Sequence, residues 1–339
     1  MPLSWKTLRA TVPGSFLAAL GLGAGFFAFV AWDQSHWWRE KSDYSFGWLV
    51  PVFALYAVQD RWPRILAALG ACATPGSPRA AGAGKWLLLL CASLALALGA
   101  LFFLLGALVR TGSGASPPGT LALTLGAVGM VLPLLFVCAP ASPSPVRASL
   151  FADARVKLAA WFVFPVLVWL VSAPMISAVE NQLNLFLLRK VVTVVAFVFD
   201  TLGLPIEQQG NVLVLPNGNV GVEEACSGIR SLTGCLFAGS FLAAVFLEKT
   251  WKKIALVVAA LLLAFVTNLA RSLFLTAWAY NHGPESIGGA VHDVAGYAVL
   301  GLTVAGLLCL LPLLNLKLTP GAASAAARLK RETRATGVD

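Results

Sequence analysis

The chain has 339 residues, 58% of them hydrophobic and only 12% charged, with a net charge of +9. That balance excludes a water-soluble globule, whose surface needs more charge, and reads as a polytopic membrane protein. The basic residues are scattered over short loops and a tail instead of forming a patch with interleaved aromatics, so nucleic acid is not an expected partner.

A bilayer core takes roughly 20 apolar residues per helix. Apolar runs at about 12–32, 46–59, 86–109, 119–139, 158–179, 231–247, 254–280 and 293–315 predict an all-α polytopic protein with about eight transmembrane helices. Lys6 and Arg9 precede a long apolar run without a small-residue cleavage site, which predicts an uncleaved first helix. The clusters "TPGSPRAAGAGK", "TGSGASPPG" and "PASPSPVR" are loops by their Gly, Pro and Ser content. The segment 181–204 is apolar enough for a further span but carries Arg189 and Lys190 early, and is expected as an outer interfacial or re-entrant helix. After it, "GNVLVLPNGNVGVEE" alternates around Pro216-Asn217-Gly218, the signal of a short outer β-hairpin. The expected organisation is one multi-span membrane domain over 1–316, with the chemistry-bearing motifs in 222–297, followed by a basic, disordered cytoplasmic tail at 317–339.

Orientation is set by lysine and arginine. With the N-terminus cytoplasmic, the inner segments hold 17 of these residues, and the outer ones hold only Arg39, Lys41, Arg110, Arg189 and Lys190. Both termini are therefore expected inside. A span at 181–204 would invert every later segment and place "EKTWKK" and the basic tail outside.

Five of the six cysteines, Cys72, Cys91, Cys138, Cys235 and Cys309, lie in or beside apolar sequence, where cysteine acts as a small hydrophobe. Only Cys226 has polar neighbours on both sides, in "VEEACSGIRSL". No cysteine pair has CxxC spacing, and His36, His282 and His292 form no HExxH pattern, so neither a metal nor a cofactor is expected. Under the deduced topology Cys226, followed by Ser227 and Gly228, falls at the outer start of the sixth span. A helix N-terminus there would favour a thiolate.

The seventh span carries "TNLARSLF", which puts Asn268 and Arg271 on one helical face within an apolar run. An arginine inside a membrane costs a few kcal/mol, so it faces a partner or a cavity. Its level matches that of Cys226, with a structural ion pair to Glu223 or Glu224 as the alternative. The next outer loop holds His282, in a solvated turn, and His292, before an apolar run; either could serve as acid or base. Asp293 reads as a helix cap, and Glu223 and Glu224 as partners for Arg230 or positioners of substrate.

In this order and spacing, "EACSGIRSL", "NLAR" and "VHDVAGY" resemble the motifs of the exosortase/archaeosortase family, multi-spanning cysteine transpeptidases of prokaryotic plasma membranes. "DYSFGWLVP" resembles a further family segment, with the departure that Phe46 stands where many members carry histidine. The resemblance implies Cys226, Arg271 and His292 as the catalytic set. By their position beside it, Glu224, Ser227, Gly228, Arg230 and Asn268 are expected to support it or bind substrate. It also implies exported protein substrates bearing a C-terminal motif such as Pro-Glu-Pro, a transmembrane helix and a basic end. These would be cleaved at the outer face of the membrane lipid bilayer and passed to an unidentified acceptor. Two other readings compete: a metal-dependent intramembrane protease suggested by the Glu-Glu pair, and a transporter or export permease in which Arg271 binds an anion.

Overall fold

In the computed structural model, residues 12–140, 142–221 and 228–315 are described. The chain is dominated by helices, numbered in order: α1 Gly14–Glu40, α2 Val50–Ala73, α3 Ala83–Ser113, α4 Pro117–Val137, α5 Ala154–Ala160, α6 Val163–Val171, α7 Ser177–Thr201, α8 Gly228–Phe246, α9 Thr250–His282 and α10 Ala290–Asn315. A 3₁₀ segment, Ser42–Leu49, links α1 to α2. Among the described residues, eight helical stretches are long and apolar enough to cross a membrane. They include Ser177–Thr201 and leave out α2, which carries Asp60, Arg61 and Arg64.

Contacts show which helices run from one end of the bundle to the other. At the lower end, Ser15 near the start of α1 donates to the Cys138 carbonyl after α4 (3.2 Å), and Arg61 in α2 reaches the Ala244 carbonyl late in α8 (3.1 Å). Lys252 at the start of α9 donates to the Leu314 carbonyl at the end of α10. At the upper end, Lys41 meets Glu180 at 2.8 Å, Arg110 late in α3 meets Asp33 at 3.0 Å, and Trp37 donates to Thr120 at 2.8 Å. Thus α1, α2, α3, α4, the α5–α6 pair, α8, α9 and α10 traverse the bundle.

The helix α7 takes a different course. It begins beside Lys41; then Leu187 neighbours Gly228 together with Asn268, and Phe199 meets Tyr280 with ring centroids 6.0 Å apart. Both α7 and α9 advance twelve residues between those contacts, so α7 runs parallel to the upper part of α9. This is possible because α9 has 33 residues, about 50 Å at 1.5 Å each, and overshoots a core roughly 30 Å thick. Leu188, Val191, Val192, Val195 and Phe199 pack there against Phe265, Leu269, Leu273 and Tyr280.

The predicted hairpin is present as β4 Val212–Leu215 and β5 Gly218–Gly221, antiparallel, with Leu215 opposite Gly218. A third strand, β3 Glu207–Gln209, which the alternation did not reveal, pairs with β4. Two proline-rich loops expected to be irregular instead form a short parallel ladder at the lower end, β1 Pro78–Ala80 with β2 Val146–Ala148. The buried Asp153 carboxylate fixes it by accepting from the Ala80 N–H (3.1 Å), the Arg155 N–H (2.9 Å) and the Arg155 guanidinium (3.0 Å).

Two local features explain the packing. The fifth crossing breaks at 161–162 because Pro165 lacks the N–H that would bond the Trp161 carbonyl. Arg61 fills the vacancy at 3.3 Å. The helices α3 and α4 pack backbone to backbone: a Cβ on Gly126 would come within 2.6 Å of Phe103 Cβ and 2.7 Å of the Gly99 carbonyl.

Candidate active site

Three elements converge at the upper end: the first turn of α8, the middle of α9 and the first turn of α10. Arg271 Nη2 lies 2.9 Å from His292 Nε2 and 3.5 Å from the His292 carbonyl oxygen. A guanidinium only donates, so this contact is a hydrogen bond when Nε2 presents its lone pair and Nδ1 holds the proton. Gly296 makes the approach possible. It sits one turn after His292, and a Cβ there would lie 3.6 Å from Arg271 Nη2, so any longer side chain would fill the space the guanidinium uses. Arg271 Nε is buried without a hydrogen-bond partner among the described residues.

Asn268, buried one turn earlier on α9, brings its amide next to the first residue of α8, where a Cβ on Gly228 would stand 3.2 Å from Nδ2. Glycine at 228 therefore lets α8 start against Asn268. Cys226, Ser227, Glu224 and Glu223 lie outside the described residues, as does the alternative ion pair of Arg271 with either glutamate.

Arg230, with its side chain 62% exposed, pairs with Asp43 at 3.2 Å and also donates to the Ser42 hydroxyl. Thr233 donates to the Asp43 carbonyl (3.1 Å). Sequence reasoning overlooked Asp43, although it stands in the quoted "DYSFGWLVP"; the clue was a carboxylate at the same membrane level as Arg230. The same segment is held from below by Tyr44, fully buried, whose hydroxyl accepts from the Met175 N–H (3.0 Å). Burial pushes that phenol up to about 12, so it remains neutral. Gly47 lies flat on the Trp38 ring, where a Cβ would overlap the indole. Phe46 stacks on Phe237 at 5.2 Å, so this position contributes an apolar wall.

The two histidines lie in different surroundings. His282 is exposed at the end of α9, stacked on Trp278 at 4.3 Å, while His292 meets Arg271. Asp293 does not cap α10; the helix already starts at Ala290, and the carboxylate lies in its first turn, where the helix dipole favours it. Among the described residues no three His, Cys, Asp or Glu side chains are placed to hold a metal.

From Arg271 and His292 a cavity of about 700 Å³ descends between α8 and α10. Both helices pack along α9 and touch each other little. The walls are Phe46, Phe53, Phe237 and Phe241 on one side and Tyr297, Leu300, Val304 and Leu308 on the other, with Asn268, Arg271, His292, Asp293 and Arg230 near the top. Along α10 the lining runs from His292 to Leu308, about 24 Å at 1.5 Å per residue. A cation–imidazole pair thus stands at the head of an apolar slot nearly as long as the membrane core is thick.

No curated protein and no solved structure matches the chain. The family described as transmembrane exosortase (Exosortase_EpsH) matches residues 37–309, a stretch that holds the Asp43 segment, the start of α8, Arg271, His292 and the whole cleft. This multi-pass membrane protein belongs to the transmembrane exosortase family.

Proposed function

We propose that the chain is a membrane-embedded cysteine peptidase and transpeptidase. In this reading Cys226 is the nucleophile, Arg271 holds the oxyanion and His292 moves the proton. The observation that carries it is the 2.9 Å contact of Arg271 with His292 at the head of an apolar cleft, on the face where the chain leads from Cys226 into α8. The substrates are exported proteins whose C-terminal tail combines a short motif, a transmembrane helix and a basic end. Support for the apolar part of that tail comes from the cleft's length and aromatic walls. Support for a site outside the plasma membrane and for cytoplasmic termini comes from the concentration of lysine and arginine in the segments of the lower end.

The chemistry balances in two halves. His292 takes the Cys226 proton, and the thiolate attacks the scissile carbonyl carbon; a C–S bond forms while the carbonyl electron pair moves to oxygen. The oxyanion is held by Arg271, a half-buried guanidinium at the head of the apolar cleft, where a pre-placed donor stabilises developing charge. Collapse breaks the C–N bond, and the departing amine takes its proton from His292. The acceptor nucleophile then attacks the thioester, gives its proton to His292 and releases the Cys226 thiolate. Asn268 and Gly228 set the start of α8, and Arg230 with Asp43 sets the mouth of the cleft.

The test is tail removal in cells expressing full-length variants. Cys226→Ala is expected to abolish it, a loss of at least ~10³-fold, as removal of a covalent nucleophile commonly does. A Cys226→Ala protein that still trims the tail sinks the proposal. Thiol alkylation should block turnover and chelation should leave it intact; the reverse pattern would establish the metal-dependent reading.

A further inference from the structure

The lower end of the bundle has a second, open-sided cavity, about 1120 Å³, lined by α2, α5, α6, α8 and α9. Its inner walls are hydrocarbon, with Phe164, Leu167 and Val171 of α6 facing Val257 and Val258 of α9. Its rim is cationic. Arg61, Lys157 and Lys253 line it, with Glu248 as the one acidic side chain among the lining residues. Arg64 stands beside the rim over the Trp161 ring at 5.5 Å.

Arg61 is partly explained by the fold, since it caps the carbonyls left unpaired at Trp161 and Ala244. Those bonds use two of five N–H donors and neutralise none of the charge. Lys157 and Lys253 have no such structural role in the helix breaks. They lie within the first turns of α5 and α9, where the spans begin and where phospholipid headgroups would sit. From Val163 to Val171 the α6 lining extends about 12 Å into the bundle at 1.5 Å per residue. One continuous cavity therefore has cations at its membrane-surface end and hydrocarbon toward the membrane centre. A soluble anion would leave the apolar depth unused, and a zwitterionic lipid would leave the excess cations uncompensated; basic pockets between transmembrane helices suit anionic lipids.

We propose that this cavity binds one anionic phospholipid, its phosphate on Lys157 and Lys253 and an acyl chain between α6 and α9. The site lies at the opposite end of the bundle from Arg271 and does not depend on the proposed chemistry there. The full-length protein, purified in mild detergent, is to be titrated with phosphatidylglycerol, with phosphatidylcholine of the same acyl chains, and with glycerol 3-phosphate, and the bound species counted by native mass spectrometry. One phosphatidylglycerol per chain should be retained at concentrations where phosphatidylcholine is lost. Lys157→Gln with Lys253→Gln should weaken that retention about tenfold, and Leu167→Trp, which fills the apolar half, should weaken it through the other end of the ligand. Lys190→Gln, on the upper end, should leave it unchanged. Equal retention of the two lipids, glycerol phosphate binding as tightly as phosphatidylglycerol, or normal retention by both the double lysine variant and Leu167→Trp would each overturn the assignment.

Discussion

The two halves of the bundle bury polar groups in opposite ways. Between α1, α4 and α6 the polar side chains satisfy one another: Gln34 donates to Thr124 (2.8 Å) and the Trp169 carbonyl (3.2 Å) and accepts from Ser172 (2.7 Å), while Trp37 donates to Thr120. Arg110 neutralises Asp33 there by proximity at 3.0 Å, without hydrogen-bond alignment on the carboxylate. In the α8–α9–α10 half, Arg271 meets the His292 imidazole, has a buried Nε without a partner among the described residues, and opens on a cleft. Closed networks rigidify a core, whereas a cation beside a cavity is placed to meet what enters it.

The sharpest way to break this comparison is Arg271→Lys. A point ammonium does not reproduce the planar fork, and turnover should fall ~10²-fold or more at unchanged protein yield. Near-normal turnover would mean that only charge matters at this position. Next comes a graded pair at Gly296. Its Ala variant places a methyl at ordinary contact distance from Arg271 and should be close to neutral. Gly296→Val should displace the guanidinium and cost ~10-fold or more in turnover, since small misplacements at a reacting centre are expensive. Equal activities of the two variants would show that the Arg271 position is not critical.

In the closed half the expected losses are of stability. Gln34→Ala removes the amide that ties Thr124, Ser172 and the Trp169 carbonyl together and should cost about 1–3 kcal/mol, seen as a lower melting temperature in detergent with turnover retained below it. A turnover loss as large as that of Arg271→Lys would erase the distinction between the halves. Asp153 adds a pH dependence. Burial pushes its carboxyl up, but the Arg155 side chain and the Ala80 and Arg155 N–H groups together hold it below the usual aspartate range. A depressed folded value stabilises above the unfolded pKa of about 3.9 and loses that contribution as pH falls through the folded value. Asp153→Asn should therefore lower the melting temperature by the equivalent of about 2 kcal/mol near neutrality, with the gap to wild type closing below about pH 4. Arg230→Gln should have the smallest effect on stability, at most about 0.5 kcal/mol, because the Arg230 side chain in its ion pair with Asp43 is 62% exposed. A melting-temperature loss as large as that of Gln34→Ala would give the cleft mouth a structural weight its exposure argues against.

Much of the architecture was legible because membrane spans announce themselves through uninterrupted hydropathy. The hairpin was legible through alternation around Pro216-Asn217, although β3 and the β1–β2 ladder were not, since three-residue strands carry too little pattern. The second crossing was seen only as 46–59 because Asp60, Arg61 and Arg64 end its apolar run, yet α2 continues to Ala73 with Arg61 capping carbonyls of two other helices. No local signal could reveal that, because the two acceptors lie 100 and 183 residues away in sequence.

The site divides along the same line. The sequence by itself determined that the chain is a membrane protein of many helices, that its unusual polar residues are Asn268, Arg271 and His292 together with the Cys226 stretch, and which family its motifs resemble. Those properties reside in residue types and local spacing. Only the tertiary structure decided that His292 and not His282 meets Arg271, that Arg230 pairs with Asp43 from the far N-terminal segment, and that α7 lies along the upper part of α9. Each of these depends on which helices neighbour one another, and helix neighbours in a bilayer are chosen by side-chain packing and close glycine approach between distant segments, because hydropathy is nearly the same on every face.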